Sequence, residues 1–316
     1  MRRRAALLAL AVALAPASRA AEPAYPTQPV QVIMPFSAGG GVDIVARALS
    51  AALSQRLGQP FVVVTRDGAA GAVGFGALAQ AKPDGYTLAS SPATPMTNVP
   101  HLQKGLPYGF DSFVPICQTF ENVFSIAVPL GSRYRALQDL LDDARARLGQ
   151  VFYGSVGLGS IPHLSAEALA RAAGVRFTLV PYRGDAPMLP HLLSGEIAFS
   201  SISISTIVGQ DLRLLVVFGS RRDPHFPDVP ASSEFGAADV SPGLNGLFAP
   251  RGTPEPILET LERSCAAAAE SDAFRAQIER LNGRVAYLDR AAFTARLRAD
   301  YEAKGRLIRE LGLTPQ

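Results

Sequence analysis

Twice in this chain, more than a hundred residues apart, a short apolar run ends in a glycine-rich turn that opens a helix. In the first instance Val30 to Pro35 leads into Ser37-Ala38-Gly39-Gly40-Gly41, after which Ile44, Val45, Ala48, Leu49, Ala52, Leu53 and Leu57 recur at helical spacing. In the second, Val151 to Ser155 leads into Gly157-Leu158-Gly159-Ser160 and a helix with Pro162 in its first turn, where a missing N–H costs nothing. Phe61–Thr65, Tyr86–Ser90, Phe177–Pro181, Ile197–Ser200 and Leu214–Phe218 read as further short strands between helical stretches. Strands alternating with helices predict an α/β fold of largely parallel sheets covered by helices. The repetition predicts two similar lobes facing each other.

The N-terminus sets the compartment. Arg2-Arg3-Arg4 precede an apolar run from Ala5 to Ala17, and Ser18-Arg19-Ala20 offers small residues for a signal peptidase. That run is shorter than the ~20 residues a membrane-spanning helix needs. Residues 1–20 therefore read as a cleaved signal peptide and the remainder as a periplasmic protein. Its ~295 residues are enough for two lobes, because single cores stop growing near that size. The leader holds four Arg and no acid, so the other residues carry 26 basic against 27 acidic side chains, and no basic surface for nucleic acid or anionic lipid is expected. The two cysteines, Cys117 and Cys265, lie far apart in sequence and are read as buried free thiols rather than a disulfide. The four histidines have no ligand spacing, and neither a metal nor another cofactor is expected.

Chemistry concentrates at the turns. Glycines in Pro35–Asp43 let the backbone approach a guest, and the helix that follows presents N–H groups and a partial positive charge suited to a carboxylate. Candidate contacts there are Phe36, Ser37, Ala38, Gly39 and Gly40, with Asp43 either capping the loop or meeting a ligand ammonium. The second turn offers Ser155, Gly159, Ser160 and His163 opposite the first, with Ser160 also a natural N-cap and His163 a natural packed histidine. Ser91 and Thr94, Tyr182 and Arg183, and Ser201 follow strand ends, where loop residues line clefts in open sheets. The glycines of the first turn are consecutive and do not form a dinucleotide fingerprint, and Gly68–Gly74 lacks the Gly-Lys-Ser/Thr ending of a phosphate loop. No Gly-x-Ser-x-Gly elbow or His-Glu-x-x-His motif occurs, so the chain is read as a non-enzyme; the one hydrolytic alternative pairs Ser160 with His163.

These residues resemble the Bug family, the TctC-like periplasmic substrate-binding components of tripartite tricarboxylate transporters. The likeness extends from the Pro35–Asp43 loop through Pro83-Asp84-Gly85-Tyr86-Thr87, Pro107-Tyr108, Asp111-Ser112-Phe113-Val114-Pro115 and Gly157–Leu164. It continues through Val180-Pro181-Tyr182-Arg183-Gly184, Pro227-Asp228-Val229-Pro230 and Gly246–Pro250. The resemblance implies a two-lobed Venus-flytrap of the type II-like periplasmic kind, with a small organic acid gripped between the Phe36–Gly40 loop and the helix start at Ser160. It also implies delivery to TctA/TctB-like membrane subunits; a protein that presents its ligand to a sensor kinase is the alternative. The expected division is residues 25–120 with 245–316 as one lobe and 121–244 as the other, in a monomer. Ser200-Ser201-Ile202-Ser203 stands where such proteins often carry an Asp-Asn-like pair. A serine-lined pocket without a new acid is expected to favour a simple mono- or dicarboxylate over an amino acid.

Overall fold

The computed structural model describes residues 25–238, 240 and 242–315. The expected leader lies outside them. Among the described residues no helix is long and apolar enough to cross a membrane.

The chain begins with β1 (Val30–Met34), α1 (Gly41–Leu57), β2 (Phe61–Thr65), α2 (Ala72–Ala79), β3 (Thr87–Pro92), the short α3 (Thr94–Thr97) and β4 (Phe113–Asn122). It then builds β5 (Phe124–Pro129), α4 (Leu137–Ala146), β6 (Phe152–Ser155), α5 (Ile161–Ala173), β7 (Thr178–Pro181), α6 (Leu189–Leu193), β8 (Phe199–Ser203), α7 (Ile204–Ile207) and β9 (Leu212–Val217). It finishes with β10 (Gly243–Pro250), α8 (Glu255–Glu270), α9 (Asp272–Arg280), β11 (Arg284–Leu288) and α10 (Arg290–Glu310).

Two sheets result, one for each lobe. The first has the order β11-β4-β10-β3-β1-β2 and the second β7-β6-β8-β5-β9. In the first, β1 pairs in parallel with β2 and β3, and β10 runs antiparallel to β3 and β4. In the second, β6 pairs in parallel with β7 and β8, and β5 runs antiparallel to β8 and β9. Five strands correspond, β2-β1-β3-β10-β4 with β7-β6-β8-β5-β9, and β11 is an extra edge strand of the first sheet; β1 and β6 occupy equivalent inner positions, and each is followed by a glycine turn and a helix. The chain passes from the first sheet to the second at Val123 and is back in the first at β10.

Side-chain alternation explains why both sheets are covered on both faces. Val30 and Val32 of β1 join Leu49, Leu53, Leu261 and Phe274 in one core, whereas Ile33 turns to Phe75, Phe248 and Phe293 in another. In the second lobe Ile126, Val128 and Phe199 join Leu140, Leu164 and Leu169, while Ala127 and Ile202 meet Met188 and Leu192 on the opposite face. α10 belongs to both lobes. Phe293 and Leu297 lie in the first lobe's core, while Ile308, flanked by Leu307 and Leu311, packs into the second's.

Cys117 of β4 and Cys265 of α8 form a disulfide, with Cα atoms 6.6 Å apart, which overturns the expectation of two free thiols. Their separation of 148 residues in sequence hides their meeting, because α8 packs on the sheet face to which Cys117 points.

Candidate functional site

The first residues of α1 and α5 face each other across the lobe boundary. Gly40 is the N-cap of α1 and Ser160 the N-cap of α5, and both line one cavity. Its wall includes Phe36 and Ser37 from the first turn, Pro92 and Thr94 after β3, Asn122 and Phe124 at the crossing, and Gly184 and Asp185 after β7. The positive ends of two helix dipoles thus fall on the same space, which favours a negatively charged guest.

The lobes stand closed. The Ser37 N–H donates to Arg183 O (3.1 Å), the Gly41 N–H to Thr206 Oγ1 (3.1 Å) and Asn98 Nδ2 to Gly159 O (2.9 Å). Glycine is required where they touch: a Cβ at Gly184 would lie 2.0 Å from Ser37 Oγ, and one at Gly41 would lie 2.5 Å from Ser205 Cβ. The cavity left inside is ≈ 30 Å³, room for a few waters, so a larger guest enters only as the lobes part.

Of the residues expected at a site, Phe36, Ser37, Gly40, Thr94 and Ser160 line this cavity. Ala38, Tyr182 and Arg183 form an outer rim, with Arg183 exposed and its backbone rather than its guanidinium holding Ser37. Gly39 is exposed, and its N–H donates to Asp43 Oδ2 (3.1 Å). Asp43 also pairs with Arg47 (3.0 Å) and braces the loop without lining the cavity. Ser91 and Ser155 are buried beside it; the former donates to Pro92 O (2.6 Å) and the latter shares a bond with Ser160 Oγ (3.1 Å).

His163 is buried against the second turn, where its Nδ1 accepts the Gly159 N–H (3.2 Å) and burial pushes its pKa down to about 4. Ser160 Oγ donates to Gly157 O (2.7 Å) and accepts the backbone N–H of His163 (3.4 Å). The hydroxyl is held by backbone and the imidazole does not address it, so the pair lacks the nucleophile–base contact that hydrolysis needs. Ser201 donates to Pro162 O (2.6 Å), and Ser203 caps α7 while donating to Asn122 Oδ1 (3.0 Å). The cavity's serines are Ser37 and Ser160; none of Ser200, Ser201 or Ser203 lines it, and Asp185 does, so the expectation of a pocket lined by the serines of β8 without a new acid is corrected.

Asp185 and Asn122 are the polar wall residues that sequence reasoning missed. Asp185 directly follows Tyr182-Arg183-Gly184, where its acidity was visible. Its Oδ2 accepts from Thr206 Oγ1 (2.7 Å), and desolvation by burial raises its carboxyl to about 6 against the opposing effect of that bond. Three buried polar atoms on the wall have no partner within the protein: Ser37 Oγ, Asn122 Nδ2 and Asp185 Oδ1. Leaving such groups unpaired is costly, on the order of 1–3 kcal/mol each.

The model of the tripartite tricarboxylate transporter family receptor, TctC, matches residues 45–313. A UPF0065 protein encoded between tcbD and tcbE in Pseudomonas sp. strain P51 is 34% identical over 271 residues, covering 82% of this chain and 80% of the relative. Protein BugT of Bordetella pertussis is 33% identical over 264 residues, covering 80% of this chain and 81% of the relative. Among solved structures, the periplasmic binding protein BugD superposes with a TM-score of 0.87 at 27% identity, covering 92% of this chain and 100% of BugD. An R. palustris protein solved with adipate gives the same values. MatC of Rhodopseudomonas palustris with bound malate gives a TM-score of 0.83 at 27% identity, covering 90% of this chain and 100% of that one. By sequence along most of its length and by the architecture of both lobes, this chain belongs to the tripartite tricarboxylate transporter receptor family and is a solute-binding protein rather than an enzyme.

Proposed function

We propose that this protein works in the periplasm, captures a small organic carboxylate between its lobes and delivers it to a tripartite-type membrane transporter. One observation carries the reading: the N-termini of α1 and α5 converge on a single space with unpartnered donors at Ser37 and Asn122. A carboxylate brought there gains both helix ends and supplies acceptors to those donors. Adipate and malate, the acids bound by two structural neighbours, support the chemical class. The ligand drives closure through its tighter binding to the closed form.

The test is a thermal-shift panel of aliphatic and aromatic acids on the leader-free protein, with mass spectrometry of whatever co-purifies. A binder raises the melting temperature with concentration as RT ln(1 + [L]/Kd). Melting curves unmoved by every acid, with no acid released on denaturation, would reject capture. Co-purification of the liganded protein with the transporter's membrane subunits tests delivery, and recovery with a sensor-kinase ectodomain in their place would redirect it.

A further inference from the structure

The cavity has an acceptor that a bare carboxylate cannot satisfy. Asp185 is 8% exposed, its Oδ1 has no partner, and it shares the cavity wall with Ser37, Gly40 and Asn122. Its other oxygen is already committed. Thr206 Oγ1 accepts the Gly41 N–H from the first lobe and donates to Asp185 Oδ2, so the carboxylate is fixed through Thr206 to the start of α1. Asn122 is held likewise, its Oδ1 accepting from the Ser203 and Ser205 hydroxyls (3.0 and 3.2 Å) while Nδ2 stays unpaired. No Lys, Arg or His side chain lines the cavity among the described residues, and Asp185 is its one acid.

Resting on the capture reading and deepening it, we propose that Asp185 is the specificity-determining residue of the cleft and receives a hydrogen-bond donor carried by the guest. The favoured ligands are then carboxylates with an ammonium or hydroxyl group close to the acid. The unpartnered groups divide cleanly: Ser37 Oγ and Asn122 Nδ2 donate to the guest's carboxylate, and Asp185 Oδ1 accepts from its neighbouring substituent. Charge points the same way. An unsubstituted diacid closes more negative charge onto a buried aspartate with no cation near, a hydroxyl offers a donor, and an ammonium offers a donor and cancels charge. Burial raises the carboxyl to about 6, which still leaves it largely ionised at pH 7.5 and in need of that donor. This replaces the preference for simple acids expected from the serines of β8.

Titration calorimetry at pH 7.5 on the leader-free protein tests this with matched sets: succinate, malate and aspartate; glutarate, 2-hydroxyglutarate and glutamate; phenylacetate, mandelate and phenylglycine. In the set that fits the cleft, the donor-bearing acids should bind at least tenfold tighter than the unsubstituted one, ammonium ahead of hydroxyl. Asp185→Asn, which keeps the shape, and Asp185→Ser, which keeps polarity in less volume, should each narrow that preference to under threefold. Melting curves report whether each variant is folded. Equal binding of substituted and plain acids by the wild type, or a full preference retained by either folded variant, overturns the assignment and leaves capture standing. A panel in which no acid binds overturns capture and this inference with it.

Discussion

A single methyl group at position 41 tests whether the lobes must meet as closely as they do. Built on Gly41, a Cβ would stand 2.0 Å from Ser205 Oγ, 2.5 Å from Ser205 Cβ and 3.0 Å from its carbonyl carbon. The hydroxyl can rotate away; the other two atoms belong to α7 and cannot. Gly41 opens α1 in the first lobe, so the collision lies between lobes and not within one. Alanine at a helical position is favoured over glycine by about 1 kcal/mol, so the first lobe by itself is not weakened. Relief requires the lobes to draw apart, and the 3.1 Å bond from the Gly41 N–H to Thr206 goes with it. Overpacking of this kind costs about 1–3 kcal/mol. All of it falls on the closed form, so ligand affinity should drop about 5- to 150-fold. Calorimetry with the tightest-binding acid of the panel measures the loss. The unliganded Gly41→Ala protein should melt within about 2 °C of wild type, and small-angle scattering should show it staying open at acid concentrations that close the wild type. Gly109→Ala is the control, since nothing lies within 4 Å of a Cβ there. Binding by Gly41→Ala within twofold of wild type would refute the claim that tight interlobe contact is part of capture.

Three further outcomes follow from the same structure. Replacing Cys117 and Cys265 by alanine should lower stability by up to about 5 kcal/mol, the loop-entropy value for a 148-residue separation, and a loss below ~1 kcal/mol in urea unfolding would contradict it. For Asp185 the sign runs toward acid. Its closed-form pKa of about 6 exceeds the 3.8 of an exposed aspartate, so the ionised group opposes closure in full above about pH 6, by about 3 kcal/mol, and ceases to do so as pH falls toward 4. Scattering should therefore show the unliganded protein closing between pH 8 and 5, with Asp185→Asn flat over that range; His163, held near 4, stays neutral throughout. Ile308→Ala, at a side chain 2% exposed in the second lobe's core, should cost about 2–4 kcal/mol, and a change under 1 kcal/mol in urea unfolding would mean that the end of α10 is not part of that core.

The parts of this molecule legible in sequence are those whose cause is local. Apolar runs with β-branched residues, glycines at the turns and the 3.6-residue period of α1 and α5 announce the two βα modules, and their duplication announces two sheets. Parts that depend on a third element stay hidden. Cys117 and Cys265 meet because α8 returns to the face of β4, a fact with no trace in their spacing. The serines of β8 look like pocket residues because they follow a strand, but their partners are Pro162 O, Ala127 O and Asn122 Oδ1, all in neighbouring elements. Asp185 is the instructive miss. Its place after a recognisable tripeptide was plain, whereas its burial comes from a distant part of the chain, Gly40 of the first lobe, packing against it.

The placement of α10 bears on how far the two halves can swing. A helix of 21 residues is a rod about 31 Å long. Phe293 and Leu297 clamp one end of that rod and Ile308 the other, each into a different body. A stiff crossbar bolted to two bodies does not act as a free pivot. Rotation of one half against the other must bend the helix or shift Ile308 in its seat, so resistance to opening reaches far from the guest, into the tail of the chain.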